Sequence, residues 1–157
     1  MTGILQSGNV TPGHSAIWTT DGVVQDGGAI LASNKVIASL RQANFNTVVD
    51  QPIVLPRSIN TFQLTGILVT NASVSLTTAV GGFYSAAQKG GSAFVSAGQV
   101  YSSLTSSSVI LNATLAAYAS SRFSNVNLAL WTIYFSLTTA QGAAAVADIY
   151  LIGLDLS

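Results

Sequence analysis

From Thr47 to Ser157 the apolar residues come in short runs, with Gly, Ser, Thr and Asn between them. This punctuation constrains the fold more than any other feature. Within "FQLTGILVTN" (62–71) apolar and polar residues alternate, the period of a strand with one buried face, and Gly66 suggests a bulge. "SVSLTTA" (73–79) continues the pattern, with Val74 and Leu76 on one face. "VGGFYSAA" (80–87) and "SAFVSA" (92–97) flank "QKGG" (88–91), a hairpin turn because glycine accepts positive φ. "QVYSSL", "SSVILNATL" and "VADIYLIGL" supply further candidates. The most hydrophobic strand is Val126–Leu137. Val126, Leu128, Leu130 and Tyr134 share one of its faces, and Ala129, Trp131, Ile133 and Phe135 share the other. Apolar residues on both faces suit a strand covered from two sides, by a second sheet and by a neighbouring subunit. About eight short strands with turns between them predict an all-β fold, a jelly roll or β-sandwich, over residues 47–157.

Helical signals are few. "ASNKVIASLRQ" (32–42) fits two or three helical turns, with Ser33 as N-cap and Arg41 near the C-terminus. The Ala-rich part of "NATLAAYASSRF" (112–123) fits one turn. The pentapeptide "SLTTA" occurs at Ser75–Ala79 and again at Ser136–Ala140. It reads either as two equivalent corners of a double-sheet fold or as coincidence in a chain built largely from Ser, Thr, Leu and Ala.

Charge decides which partners are open to the chain. Only 6% of its 157 residues are charged, Glu is absent and the net charge is zero, against roughly 25% charged residues in ordinary soluble domains. A surface so poor in charge is badly protected against association, so a homo-oligomer, dimer or trimer, is expected. The five basic residues, Lys35, Arg41, Arg57, Lys89 and Arg122, are scattered, which gives no nucleic-acid footprint. No apolar run approaches the 18 or so residues that span a bilayer, and "MTGILQSGNV" does not read as a signal peptide. Neither nucleic acid nor a membrane is therefore an expected partner. The chain has no Cys, which excludes disulfides and thiolate metal sites. The sequons at Asn9, Asn71 and Asn112 are what chance gives in so Ser- and Thr-rich a chain.

The stretch Gly8–Gly28 holds the only His, His14, with Asp21 and Asp26. His14 and Ser15 are adjacent, so on extended chain they point apart and cannot form a nucleophile–base pair. One His and no Cys make no ordinary zinc site, and Asp21 and Asp26 lack calcium-loop spacing. "DGG" at Asp26–Gly28 reads as a turn. "GNVTPG" lacks the Lys and Ser/Thr of a phosphate loop. Asp148, inside "VADIYLIG", reads either as a buried acid or, with more weight, as an edge or solvent-facing residue. No catalytic residue, cofactor or metal is expected, and the chain is not read as an enzyme. The stretch reads instead as extended chain with too few apolar groups to fold alone. Residues 1–46 thus form an expected N-terminal assembly arm, with Trp18 as its anchor, flanked by Ile17 and Val23, and with His14 beside them.

The segment "GNVTPGHSAIWTTDGVVQDGG" (8–28) resembles a recurring segment of tailed-bacteriophage virion proteins, G-x-V-T-P-G-H-x-x-x-W-x-T-x-G-V-x-Q-D-G-G, found in tail-fibre and other surface proteins. The later stretches "VTNASVSLTTAVGGFYSAAQKGGSAFV" and "SLTTAQGAAAVADIYL" are similar to structural proteins of the capsid decoration or cement kind, often jelly-roll-like. The resemblance implies a virion structural protein on the capsid exterior, with the major capsid protein or other virion proteins as partners. A tail- or head-fibre component for host attachment is the alternative. A carbohydrate-binding module is a third reading, in which Trp131 and the tyrosines would line an acidic cleft.

Overall fold

The computed structural model describes residues 5–6, 14–18, 23–29, 33–59, 61–116, 122–124 and 132–156. Every regular element among them is a strand. The chain divides into two compact units, 1–32 and 33–157. In the first, β1 (Leu5–Gln6), β2 (His14–Trp18) and β3 (Val23–Ala29) form one sheet in the order β1-β3-β2. β1 runs parallel to β3, and β2 antiparallel to it.

The second unit carries two sheets. The first contains β4 (Asn34–Asn44), β6 (Thr61–Thr70), β10 (Arg122–Ser124) and β12 (Val146–Asp155) in the order β10-β6-β12-β4, and β9 (Ile110–Asn112) also pairs with β6. The second contains β5 (Gln51–Val54), β7 (Val80–Ala86), β8 (Gly90–Val95) and β11 (Thr132–Thr139) in the order β5-β11-β7-β8. Every pairing in both sheets is antiparallel.

Alternation explains why these segments are strands. In β12, Ala147, Ile149 and Leu151 are buried, while Tyr150, Ile152 and Leu154 on the other face are only partly so. β6 changes phase midway: Phe62 and Leu64 point inward, then Ile67 and Val69. The register slip between Ile152↔Gly66 and Gly153↔Leu64 leaves Thr65 unpaired, so Gly66 does sit at a bulge. In β11, Ile133, Phe135 and Leu137 are fully buried. A strand is present from Thr132 onward, and residues 126–131, with Trp131, lie outside the described residues.

Both sheets feed one continuous hydrophobic core. Four aromatic rings meet in it. Phe135 lies 5.0 Å from Phe45, 5.1 Å from Phe83 and 6.1 Å from Tyr101, and Tyr101 meets Phe45 edge-on at 5.1 Å. Burial moves the Tyr101 hydroxyl above its ordinary pKa, next to the coulombic effect of Tyr84, and the hydroxyl donates to the Gly81 carbonyl at 3.3 Å.

Several sequence expectations change. Residues 34–44 form β4 rather than a helix, because Ile37 and Ala43 fill the core and the strand pairs along its length with β12; tertiary pairing overrides a modest helical propensity. This strand also places residues 33–46 in the larger unit, whereas the sequence assigned them to the arm. Asp26–Gly28 is not a turn but part of β3, with Gly27 and Gly28 absorbed in a bulge opposite Ser15. "SVSLTTA" and "QVYSSL" are loops, in which Leu76, Tyr101 and Leu104 plug the core. At the expected "QKGG" hairpin the positive φ angles fall on Gln88 (59°), Lys89 (56°) and Gly91 (69°), with Gly90 in an ordinary conformation. Of the second helical segment, residues 117–121 lie outside the described residues, and Arg122–Ser124 is strand.

Phe135 is fully buried and touches three other rings, so Phe135→Ala should cost about 3–5 kcal/mol of stability. Urea titration measures this; a loss below about 1 kcal/mol would mean that the rings are not the centre of the core.

Candidate functional site

The four residues expected to contact a partner fall in one hairpin. His14 pairs with Ala29, Ile17 with Gln25 and Trp18 with Val24 across β2 and β3, and Val23 pairs with Leu5 of β1. Ile17 is half exposed, at 49%. The side chains of His14, Trp18 and Val23 lie outside what the structure describes, as does Asp21. No group of three or more His, Cys, Asp or Glu that could hold a metal occurs among the described residues.

The best-built polar cluster surrounds Asp148, which the sequence weighed toward a solvent-facing position. It sits on the outer face of β12, a central strand, yet is only 2% exposed. A bulge in the neighbouring strand accounts for this. Between Ala147↔Ala43 and Ile149↔Leu40, two residues of β4, Arg41 and Gln42, oppose Asp148 alone. Gln42 takes a φ of 54°, and its N–H donates to Asp148 Oδ1 at 2.8 Å. Arg41 Nε contacts Oδ2 at 2.9 Å, and Asn71 Nδ2 donates to the same oxygen at 3.1 Å. The Arg41 guanidinium also lies 5.7 Å from the centre of the Tyr150 ring. Burial pushes the Asp148 carboxyl toward its neutral form. The Gln42 N–H, the Asn71 amide and the Arg41 charge outweigh that push and hold its pKa below the ordinary 3.8.

This carboxylate is anionic, neutralised and held by three donors, so it is poorly suited to proton transfer. It pins the β4 bulge to the turn after β6. Beside it opens a cleft of about 490 Å³ between the loops at 71–74 and 105–107. Its walls carry hydroxyl and amide groups, with Asp148 on the inside.

A second, shallower groove of about 530 Å³ lies between Val48–Asp50 and the tip of the β7–β8 hairpin. The Gln88 N–H donates to the Asp50 carboxylate, and the fully buried Ser136 hydroxyl donates to the Val48 carbonyl at 3.3 Å. Segment 47–50 is therefore bonded to both β11 and the hairpin. Val48 and Val49 are nonetheless 49% and 68% exposed. Tyr84, in β7, is 4% exposed and its hydroxyl has no hydrogen-bond partner among the described residues. Burial, and next the negative Asp50, raise its pKa.

The two "SLTTA" copies are not equivalent corners. Ser75–Ala79 is loop, whereas Ser136–Thr139 lies in β11. They are joined by the residue after the second copy. Gln141 Oε1 accepts from the Thr78 and Ala79 N–H groups, and Nε2 donates to the Ser75 carbonyl at 3.1 Å. No sequence rule marks a single Gln for this duty. Asp148 could have been found, since an acid inside an apolar strand is a standing anomaly.

No family model, curated protein or solved structure matches the chain.

Because the folded-state pKa of Asp148 lies below its unfolded value, its stabilisation is complete above about pH 4 and is lost as pH falls through the folded pKa. Asp148→Ala leaves the Gln42 N–H and the Asn71 amide unpaired and should cost about 1–3 kcal/mol at neutral pH. Urea midpoints for both proteins, at neutral pH and well below pH 4, should show the gap closing in acid. A gap independent of pH would refute the assignment.

Proposed function

We propose that the chain is a bacteriophage virion structural protein, a cement or decoration protein that binds the exterior of the assembled head. The observation that carries this reading is the Gly8–Gly28 segment with its virion-protein pattern. The architecture of residues 33–157 is compatible with it. Two antiparallel sheets sharing one core suit a β-sandwich of jelly-roll kind. The buried acid of that unit, Asp148, is a structural pin, which favours assembly over turnover.

On this reading residues 1–32 form the attachment element and His14, Ile17, Trp18 and Val23 contact the shell. The chemistry is linkage: a protein that binds only the assembled particle stabilises it by its own binding free energy. The low charge and the exposed Val48, Val49 and Val54 support association with other copies.

Particles are mixed with the intact chain, with a form lacking residues 1–32 and with Trp18→Ala. Deletion should abolish occupancy and the gain in particle melting temperature. Trp18→Ala should weaken binding by about 2 kcal/mol or more if Trp18 is an anchor. Full occupancy by the deleted form would reject the reading. Analytical ultracentrifugation of the intact chain should give a dimer or trimer at micromolar concentration, and a monodisperse monomer would count against self-association.

A further inference from the structure

The cleft beside Asp148 has properties that a structural pin alone does not require. Its volume of about 490 Å³ falls within the roughly 300–1,000 Å³ range of small-molecule sites. Its charge is balanced, because Arg41 neutralises the one carboxylate at its base. Free cations and anions therefore find no net attraction there. Its walls carry hydroxyl and amide side chains, groups that can both donate and accept. Ser73 Oγ accepts the Val146 N–H at 3.0 Å, which leaves its own O–H to donate outward. Ser106 and Ser107 line the opposite wall and are exposed. Asp148 itself is held from within by Gln42, Asn71 and Arg41, so the outward-facing polar groups of the cleft are the hydroxyls and amides of its walls. Val74, 43% exposed, offers a small apolar surface beside them.

Backbone geometry points the same way. Gln42 and Asn71 both line this cleft and both hold positive φ, 54° and 55°. Such conformations in residues other than glycine are costly and gather at ligand sites. Here they place the Gln42 N–H and the Asn71 amide on the two oxygens of one carboxylate, which fixes the floor of the cleft.

We propose that this cleft binds a short neutral carbohydrate. A sugar ring presents hydroxyls that both donate and accept, carries no charge, and has a C–H face for the Val74 side. A peptide is a poorer match, because the lining has no deep apolar pocket to anchor a side chain. The site differs from the aromatic platform around Trp131 considered from sequence, and it does not depend on whether the chain binds a virion.

The test is saturation-transfer NMR on the intact chain with glucose, galactose, rhamnose and N-acetylglucosamine, each at millimolar concentration. At least one sugar should receive saturation. Ser107→Trp and Val74→Trp, which fill the cleft from opposite walls, should each weaken that binding about tenfold or more, a change of about 1.4 kcal/mol, while the melting temperature stays near that of the unmodified chain. Val54→Trp, on the other sheet, should leave the signal unchanged. Absence of transfer from all four sugars overturns the proposal, as does transfer that both well-folded cleft variants retain.

Discussion

Everything in the larger unit is arranged around one meeting of four rings. Phe45 comes from the segment after β4, Phe83 from β7, Tyr101 from a loop and Phe135 from β11. Two hydrogen bonds fix the first of them in place: the Phe45 N–H donates to the Ala145 carbonyl, and its carbonyl accepts the Gln141 N–H, both at 2.8 Å. Gln141 then reaches back to the loop Ser75–Ala79. Burial of the rings and closure of the loops are thus one event, and neither sheet can be repacked without disturbing the other. Aromatic pairs of this kind add about 0.5–1.5 kcal/mol each beyond the area they bury.

The scarce charges serve as connectors. All three acids of residues 33–157 are engaged. Asp148 holds Arg41 and the β4 bulge, Asp50 receives the hairpin tip, and Asp155 pairs with Lys35 at 2.8 Å. These contacts differ in weight. The Lys35–Asp155 pair is solvated and contributes little, whereas Asp148 is buried, so loss of one of its three donors leaves part of its desolvation cost uncompensated. A chain with this composition leaves few charges free to keep copies of itself apart.

The sequence exposed the strand class because burial with period two is written directly into β6, β11 and β12. It also marked Gly66 as a bulge, since a glycine in the middle of an alternating run has few other uses. It misjudged β4, where two bulges break the alternation and the remaining spacing imitates a helix. It misjudged the loops around Val74 and Val100 for the opposite reason: isolated apolar residues that plug a core from a loop look locally like strand residues. The candidate cleft was largely hidden. Its walls come from segments more than sixty residues apart in the chain, Asn71–Val74 and Val146–Asp148, and Ser and Thr are too common here to mark a site. Only Asp148 stood out, and its burial depends on a positive φ at Gln42 that no local signal announces.

The order of strands has a consequence for synthesis. β12 lies between β6 and β4, so one of the two interior strands of that sheet is the last of its described strands to leave the ribosome. Until it arrives, β6 has only β9 and β10 to pair with and β4 has no strand partner among the described residues. Closure of this sheet therefore awaits β12, and a messenger cut before Val146 would yield polypeptide with exposed strand edges at β4 and β6, prone to aggregate.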